Sequence, residues 1–294
     1  MSLSKTRQKI TKQFKRDILQ KIRHPLAPMA HKNKSNYSPY KARQEKKDSA
    51  FATPSTSKPS ITSNKNGRHR APDKIFSLEE ANDRLFDLFR NHSFNDYPHE
   101  KRRELAHFYT LLMDIQKTEN FTRLTSLRDI GLKHFVDCLM VKQLTKLQFP
   151  LMDVGTGPGF PGVPLKIEFP EETIVLAEGV QRRVEFLKTV REKMNLKSLP
   201  ILGRNINPEC FYPVNGVITR AVEDLRNTLG NVINCLQLGG RAYFMKGPGV
   251  DPEIPMALEA WSEFYKLVED HHYVLPKTDQ ERRLLVFEKI KSNV

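Results

Sequence analysis

Four glycines follow an apolar stretch in the sequence DVGTGPGFPGVP, residues 153–164. Gly155, Gly157 and Gly159 can adopt positive φ, and they let a ligand approach the backbone without a Cβ in the way. The residues LMDV predict a buried strand before the turn, and a helix is predicted after it. A glycine-rich turn between a strand and a helix is typical of a binding site at the edge of a sheet. A merely tight turn is the alternative.

Two classes of ligand fit this turn. Gly157, Gly159 and Gly162 match G-x-G-x-x-G, the pattern of dinucleotide-binding proteins. A dinucleotide places its pyrophosphate on backbone N–H groups at the start of the helix. Three residues of the turn have no N–H, namely Pro158, Pro161 and Pro164. S-adenosylmethionine carries no phosphate, so the prolines favour this cofactor over a dinucleotide.

The elements that position the turn are predicted from periodicity. Ser77 and Glu80 form a capping box, and apolar residues then recur at helical spacing, so residues 77–147 are predicted to be all helical. After Pro150 strands and helices alternate, with strands at LMDV, TIVLAE, LPILG, GVITRA, GRAYFMKG, 268–275 and 282–288, and a late helix at 252–265. This alternation predicts an α/β fold with a doubly wound, mostly parallel sheet. Glu178, at the end of the second strand, is placed to accept hydrogen bonds from ribose hydroxyls; a solvated strand end is the alternative.

Charge divides the chain of 294 residues. Residues 1–72 hold 18 Lys and Arg against three acidic residues, a net charge of +15, whereas residues 73–294 have a net charge of −1. We therefore predict a disordered basic tail (1–72) with a transient helix at 5–23, a helical region (73–147) and a cofactor-binding domain (148–294). The tail is interpreted as an RNA-binding arm, with a merely solvated run of charges or an organelle transit peptide as the alternatives.

Other features of the composition exclude several classes of protein. The three cysteines, Cys138, Cys210 and Cys235, lie far apart and have no C-x-x-C spacing, so neither a disulfide framework nor a metal site is predicted. No apolar run approaches the roughly 18 residues of a membrane helix. We expect a monomeric, cytoplasmic protein without a membrane anchor.

Seven stretches, between Glu119 and Lys289, resemble the bacterial small-subunit (16S) ribosomal RNA guanine-N7 methyltransferases, also called the glucose-inhibited division protein B family. In order they are NFTRLT, KHFVDC, DVGTGPGFPGVPLKI, RRVEFL, GVITRA, GGRAYFMKG and ERRLLVF. The resemblance implies a class I S-adenosylmethionine-dependent methyltransferase fold. It also implies 16S rRNA or the small ribosomal subunit as the partner.

The resemblance also implies positions for the cofactor. They are Gly155, Phe160, Asn205, Ile206 and Arg220, to which the physical arguments above add Gly157, Gly159 and Glu178. The chain departs from the family pattern at Ile206, where an acidic residue is expected near the adenine, so backbone contact at Asn205 and Ile206 is expected instead. Arg220 is expected either to hold the cofactor carboxylate or to donate to guanine O6; a structural ion pair is the alternative.

Four further residues are implied in binding the base and the RNA. His134 and Asp137, three apart on one helix face, are expected to close the pocket, although a lone histidine often has a purely structural role. Lys246 and Arg282 are expected to meet RNA phosphates, although exposed basic residues are usually only solvated. With Arg220, the pair His134 and Asp137 forms the predicted catalytic set.

Guanine N7 has a lone pair and no proton, so its methylation needs alignment of the reactants and no general base. The function that the resemblance implies is methyl transfer from S-adenosylmethionine to guanine N7 of 16S rRNA. A methyltransferase acting on another RNA or on a protein is one alternative, because the cofactor turn does not fix the acceptor. A ribosome-assembly factor that binds RNA without turnover is the other.

Overall fold

A computed structural model describes residues 70–72, 74–220 and 222–292. The predicted basic tail and its helix at 5–23 therefore lie almost entirely outside the described residues. The division of the chain after residues 72 and 147 stays a prediction.

The first described helices form as their sequence predicts. Helix α1 (Leu78–Asn91) begins at Ser77, whose side chain accepts a hydrogen bond from the backbone N–H of Glu80. Helix α2 (His99–Gln116) buries Leu105, Phe108 and Leu112 on the face predicted by their spacing. The apolar side chains of both helices join one continuous core with the sheet domain.

The next helical stretch contains a segment that the sequence did not predict. Helix α3 (Leu127–Ile130) begins at the N-cap Ser126, as expected, and passes into a π-helical segment (Gly131–Val136) and then into α4 (Asp137–Leu144). A π-helical turn is wider than an α-helical turn and is frequent at functional sites. It carries His134 and ends beside Asp137.

The rest of the chain forms the predicted α/β architecture. The strands are β1 (Leu151–Val154), β2 (Ile174–Ala177), β3 (Ile201–Leu202), β4 (Val214–Arg220), β5 (Leu236–Lys246), β6 (Tyr265–Val274) and β7 (Glu281–Lys289). The helices are α5 (Gly162–Glu168), α6 (Gln181–Lys193), α7 (Leu225–Asn231) and α8 (Glu253–Trp261), with a 3₁₀ turn at Pro248–Val250. The sheet order is β3-β2-β1-β4-β5-β7-β6.

Pairing within the sheet is mostly parallel. Strands β1 to β5 pair in parallel, whereas β7 runs antiparallel to both β5 and β6. The predicted helix at 252–265 is wrong at its end, because the chain enters β6 at Tyr265, which pairs with Lys289. From β1 the chain first adds β2 and β3 on one side of the sheet and then crosses to add β4 and β5 on the other side. Ligands bind at such a switch point, outside the carboxyl ends of the strands.

Three phenylalanine rings connect the helical region to the glycine turn. The ring centroid of Phe160 lies 5.2 Å from that of Phe108 and 6.0 Å from that of Phe135. All three rings are buried, and burying each contributes about 1.5–3 kcal/mol relative to exposure. Helix α2 and the π-helical segment that follows α3 therefore pack against the glycine turn.

Candidate functional site

A cleft of about 880 Å³ opens at the carboxyl ends of β1, β4 and β5. Eight of the twelve predicted site residues line it, namely Gly155, Gly157, Phe160, His134, Asp137, Arg220, Lys246 and Arg282. Four others lie outside its lining, namely Gly159, Glu178, Asn205 and Ile206. The structure therefore brings together the glycine turn, the predicted catalytic set and the two predicted RNA contacts.

The glycine turn has the backbone that its sequence predicts. Gly155, Gly157 and Gly159 have φ values of 69°, 60° and 113°. A Cβ added to Gly155 would lie 2.7 Å from a methyl of Val222, whereas one added to Gly157 would meet no atom within 4 Å. Gly157 therefore leaves a space open to the cleft that any side chain would fill.

The start of helix α5 has no donor to offer a pyrophosphate. The N–H of Gly162 donates to Asp153 Oδ2 at 2.7 Å. The N–H of Val163 donates to Gly159 O, that of Leu165 donates to Pro161 O, and Pro164 has none. This arrangement supports the preference for a ligand without phosphates that the prolines indicated.

Glu178 is a buried carboxylate rather than a solvated one, since only 5% of the residue is exposed. Its Oε2 accepts a hydrogen bond from the N–H of Gly157 at 2.9 Å, and its Oε1 accepts one from the N–H of Val180 at 2.8 Å. Arg183, which lines the cleft, approaches Oε2 to 3.6 Å. Glu178 thus connects the glycine turn to the end of β2, and each oxygen retains a second lone pair that can accept from a ribose hydroxyl.

Asp153 lies beneath the turn and was not singled out as a site residue. It is fully buried, and burial raises the pKa of its carboxyl to about 7, although the N–H of Gly162 and the hydroxyl of Thr156 act in the opposite direction. Asp153 fixes the start of α5 relative to β1.

Arg220, His134 and Asp137 form one hydrogen-bonded cluster. Arg220 donates from Nη1 to the carbonyl of Lys133 at 3.1 Å and from Nη2 to His134 Nδ1 at 2.7 Å. Its Nη1 also lies 3.5 Å from Asp137 Oδ2. The guanidinium lies over the ring of Phe160, at 5.4 Å from the centroid. The side chain is only 15% exposed. Its burial and these contacts together fix the position of the guanidinium.

Two residues that the sequence analysis missed complete this cluster. Tyr273, on β6, donates from its hydroxyl to Asp137 Oδ1 at 3.0 Å. Thr122 lies with its hydroxyl 3.5 Å from His134 Nε2. Neither contact has a local pattern in the sequence. Tyr273 is 136 residues from Asp137, and Thr122 is 12 residues from His134.

His134 is held in its neutral form. Burial lowers the pKa of its imidazole well below 6.5, and the positive charge of Arg220 lowers it further. Because Nδ1 accepts from Arg220, the proton of the neutral ring is assigned to Nε2. The ring stacks on Phe160 at 4.2 Å with an interplanar angle of 26°.

This lowered pKa predicts how stability depends on pH. Between the folded and unfolded pKa values the unfolded chain binds more protons, so stability rises with pH in that window. We expect the free energy of unfolding to fall as pH drops through about 6.5, and His134→Gln to flatten that dependence. Urea denaturation between pH 7.5 and 5.5 measures it, with the exposed His272→Gln as control. An unchanged dependence in His134→Gln would contradict the assignment.

The two predicted RNA contacts differ in how free their charges are. Lys246 Nζ lies 2.9 Å from Glu253 Oε2 and 2.9 Å from the carbonyl of Glu223, so its ammonium is already engaged within the protein. Arg282 lies 3.7 Å from Asp137 Oδ2 through Nε and is 22% exposed. Arg282 thus contacts the predicted catalytic set through Asp137, whereas Lys246 is paired with Glu253.

Asn205 and Ile206 lie in the segment between β3 and β4, outside the lining of the cleft. The side-chain amide of Asn205 packs against Gly179, so that a Cβ at Gly179 would lie 2.0 Å from Asn205 Oδ1. Ile206 is buried. Their position after β3 is compatible with the backbone contact that the sequence analysis expected.

Within the described residues no group of three or more His, Cys, Asp or Glu side chains could hold a metal ion. Over the same part of the chain, none of the helices has the length and apolar character required to cross a membrane.

The sheet order, the antiparallel β7 and the glycine turn after β1 define a class I S-adenosylmethionine-dependent methyltransferase. The open space at Gly157 and the buried acceptor Glu178 fit that cofactor. The family model described as rRNA small subunit methyltransferase G matches residues 101–284. The chain belongs to this family.

Individual relatives agree with the family assignment. The chain is 64% identical over 226 residues to "Ribosomal RNA small subunit methyltransferase G 2" of Bdellovibrio bacteriovorus. This alignment covers 77% of this chain and 89% of the relative. It is 33% identical over 204 residues to "Ribosomal RNA small subunit methyltransferase G" of Carboxydothermus hydrogenoformans, which covers 66% of this chain and 85% of the relative. Among solved structures, a methyltransferase from Pyrococcus furiosus aligns with a TM-score of 0.43 and 14% identity over 52% of this chain and 81% of that one.

Proposed function

We propose that this protein transfers a methyl group from S-adenosylmethionine to N7 of a guanine in 16S ribosomal RNA. The observation that carries the proposal is the cleft itself, which is lined both by Gly157 with its open space and by the cluster of Arg220, His134 and Asp137. Membership of the small-subunit rRNA methyltransferase family supports the choice of acceptor.

The residues of the glycine turn are proposed to hold the cofactor. Gly155 and Gly157 admit it to the backbone, Glu178 accepts from its ribose, and Asn205 and Ile206 contact its base through their backbone. Gly159 and Phe160 support the turn from the core side, where an added Cβ at Gly159 would meet Val163 and Phe108. When bound, S-adenosylmethionine supplies an electrophilic methyl group.

The chemistry required of the other residues is orientation. N7 attacks with its own lone pair, no proton leaves, and no general base is needed. Arg220 is proposed to orient the reactants, through guanine O6 or the cofactor carboxylate. Asp137 and neutral His134 hold its guanidinium. Arg282 and Lys246 are proposed to meet the phosphates of the RNA.

The experiment that tests the proposal is product analysis. The full chain is incubated with methyl-labelled S-adenosylmethionine and with small subunits or 16S rRNA from cells that lack this enzyme. We expect the label in N7-methylguanine after digestion to nucleosides and mass analysis. Label in another nucleoside or in a ribosomal protein would overturn the acceptor.

The cofactor is tested separately by calorimetry. We expect saturable micromolar binding of S-adenosylmethionine and none of NAD, because the N–H groups at the start of α5 are occupied or missing. Binding of NAD with no binding of S-adenosylmethionine would overturn this prediction. No binding of either would favour the assembly-factor alternative.

The proposed substrate also implies where the protein acts. Small-subunit rRNA is assembled in the bacterial cytoplasm, so we propose that compartment. We further propose that the protein acts as a monomer, which sedimentation of the full chain would test.

A further inference from the structure

A second cavity lies beside the helical region. It has a volume of about 560 Å³ and is lined in part by Phe76, Arg84, Leu88, Thr125 and Arg128. Sites for small ligands commonly have roughly 300–1,000 Å³, so this cavity is large enough for a nucleotide. None of its lining residues belongs to the proposed cofactor site.

This second cavity adjoins the cleft along one continuous segment. Residues 121–124 line the cleft, and the next four residues, 125–128, line the second cavity. Four extended residues span at most about 13–14 Å. A single RNA strand with one nucleotide in the cleft can therefore reach the second cavity with a nucleotide that lies close by in the same strand.

Arg84 presents a fixed planar group in this cavity. Its Nε and Nη2 both donate to Glu80 Oε1, at 3.2 and 3.1 Å. Its guanidinium carbon lies 4.2 Å from the centroid of the Phe76 ring. These contacts hold the guanidinium over the ring. Arginine planes and aromatic rings are the surfaces on which proteins stack unpaired bases.

The charges around the cavity suit a phosphate-bearing ligand. Arg128 lines the cavity and Arg123 lines the cleft, both are exposed, and neither makes an ion pair within the described residues. Asp87 is the acidic side chain of the lining, and it lies 3.5 Å from Arg90. Arg123 and Arg128 thus offer positive charge within the segment 121–128, one at the cleft and one at the second cavity.

We propose that the second cavity binds an unstacked nucleotide that neighbours the target guanosine in the same RNA strand. Its base stacks on the Arg84 guanidinium, and Arg128 contacts its phosphate. The inference rests on the proposed function, because the strand is positioned by a guanine in the cleft. It adds a site that would help select which guanine is methylated.

A binding cycle tests the stacking contact. The probe is a fluorescent ten-nucleotide oligouridylate with one central guanosine, compared with versions in which one neighbouring nucleotide is abasic. For the full chain we expect one abasic position to weaken binding about tenfold. Arg84→Ala should weaken binding of the intact probe to the same extent and make it insensitive to that abasic position. Arg84→Lys should behave like Arg84→Ala, because lysine keeps the charge and lacks the plane.

The phosphate contact is tested by salt dependence. Arg128→Ala should lower the slope of log Kd against log salt by about one, and Arg128→Lys should preserve the slope. Arg103→Ala is the matched control, since Arg103 is an exposed arginine that pairs with Glu79 of α1 outside both cavities. Unchanged cofactor affinity shows that each variant is folded.

Several results would overturn the second site. They are full sensitivity of Arg84→Ala to every abasic probe, wild-type affinity in Arg84→Ala, or an equal loss in Arg103→Ala. The wild-type chain is assayed in parallel for N7-methylguanine formation. Failure of that assay counts against the proposed function, whereas failure of the binding cycle with normal methylation counts against the second site alone.

Discussion

Arg220→Ala is expected to reduce N7-methylguanine formation about a hundredfold, the scale of loss when a positioning group is misplaced by about an ångström. Arg220 lines the cleft, is largely buried, and contacts His134, Asp137 and the carbonyl of Lys133. Alanine removes every donor of that fork without adding bulk. Quantifying N7-methylguanine in 16S rRNA treated with each variant measures the effect.

Two further variants make this prediction specific. Arg220→Lys should restore activity only in part, since lysine cannot reproduce a planar fork that donates in two directions. Arg241→Ala is the control, because Arg241 is a partly buried arginine on β5, paired with Glu269 at 2.8 Å and outside the cleft. Near-normal methylation by Arg220→Ala, or an equal loss in Arg241→Ala, would remove Arg220 from the site.

The contacts of Arg220 bear on the alternatives that the sequence left open. A structural ion pair was one of them, and Arg220 does lie 3.5 Å from Asp137. Asp137 itself lines the cleft and is also approached by Arg282 and Tyr273. An ion pair inside a binding cleft orients the guanidinium for a ligand, so the structural contact and the proposed function are compatible.

The fold was predictable because its signals are local. The N-cap Ser77, the helical spacing of Leu105, Phe108 and Leu112, and the apolar strand before Gly155 each act within a few residues. Strand β3 was harder to bound, because only Ile201–Leu202 pair with β2. Pro200 lacks the N–H that would extend it.

The arrangement of the cleft was only partly predictable. The resemblance indicated His134, Asp137 and Arg220, but periodicity gave no sign of the π-helical segment that carries His134. Tyr273 was missed because its bond to Asp137 joins β6 to a helix far away in the chain. Glu178 can be buried because its carboxylate accepts hydrogen bonds from two backbone N–H groups. A glutamate at the end of a predicted strand does not reveal these bonds.

Gly157→Val is expected to weaken binding of S-adenosylmethionine about ten- to hundredfold. Gly157 has a φ of 60° and lies on the cleft with no atom within 4 Å of an added Cβ. The valine side chain would therefore meet the ligand rather than the protein. Filling a closely packed space with added methyl groups typically costs about 1–3 kcal/mol, and each 1.4 kcal/mol is tenfold in affinity.

Gly239→Val separates this steric effect from backbone strain. Gly239 also has a positive φ, of 75°, and also has no atom within 4 Å of an added Cβ, but it lies on β5 outside the cleft. Both variants should lose stability, by about 1–2 kcal/mol for a left-handed residue, whereas only Gly157→Val should lose cofactor affinity. Calorimetry and urea denaturation of both variants distinguish the two effects. Equal loss of affinity in both, or none in Gly157→Val, would show that the cofactor does not approach the backbone at Gly157.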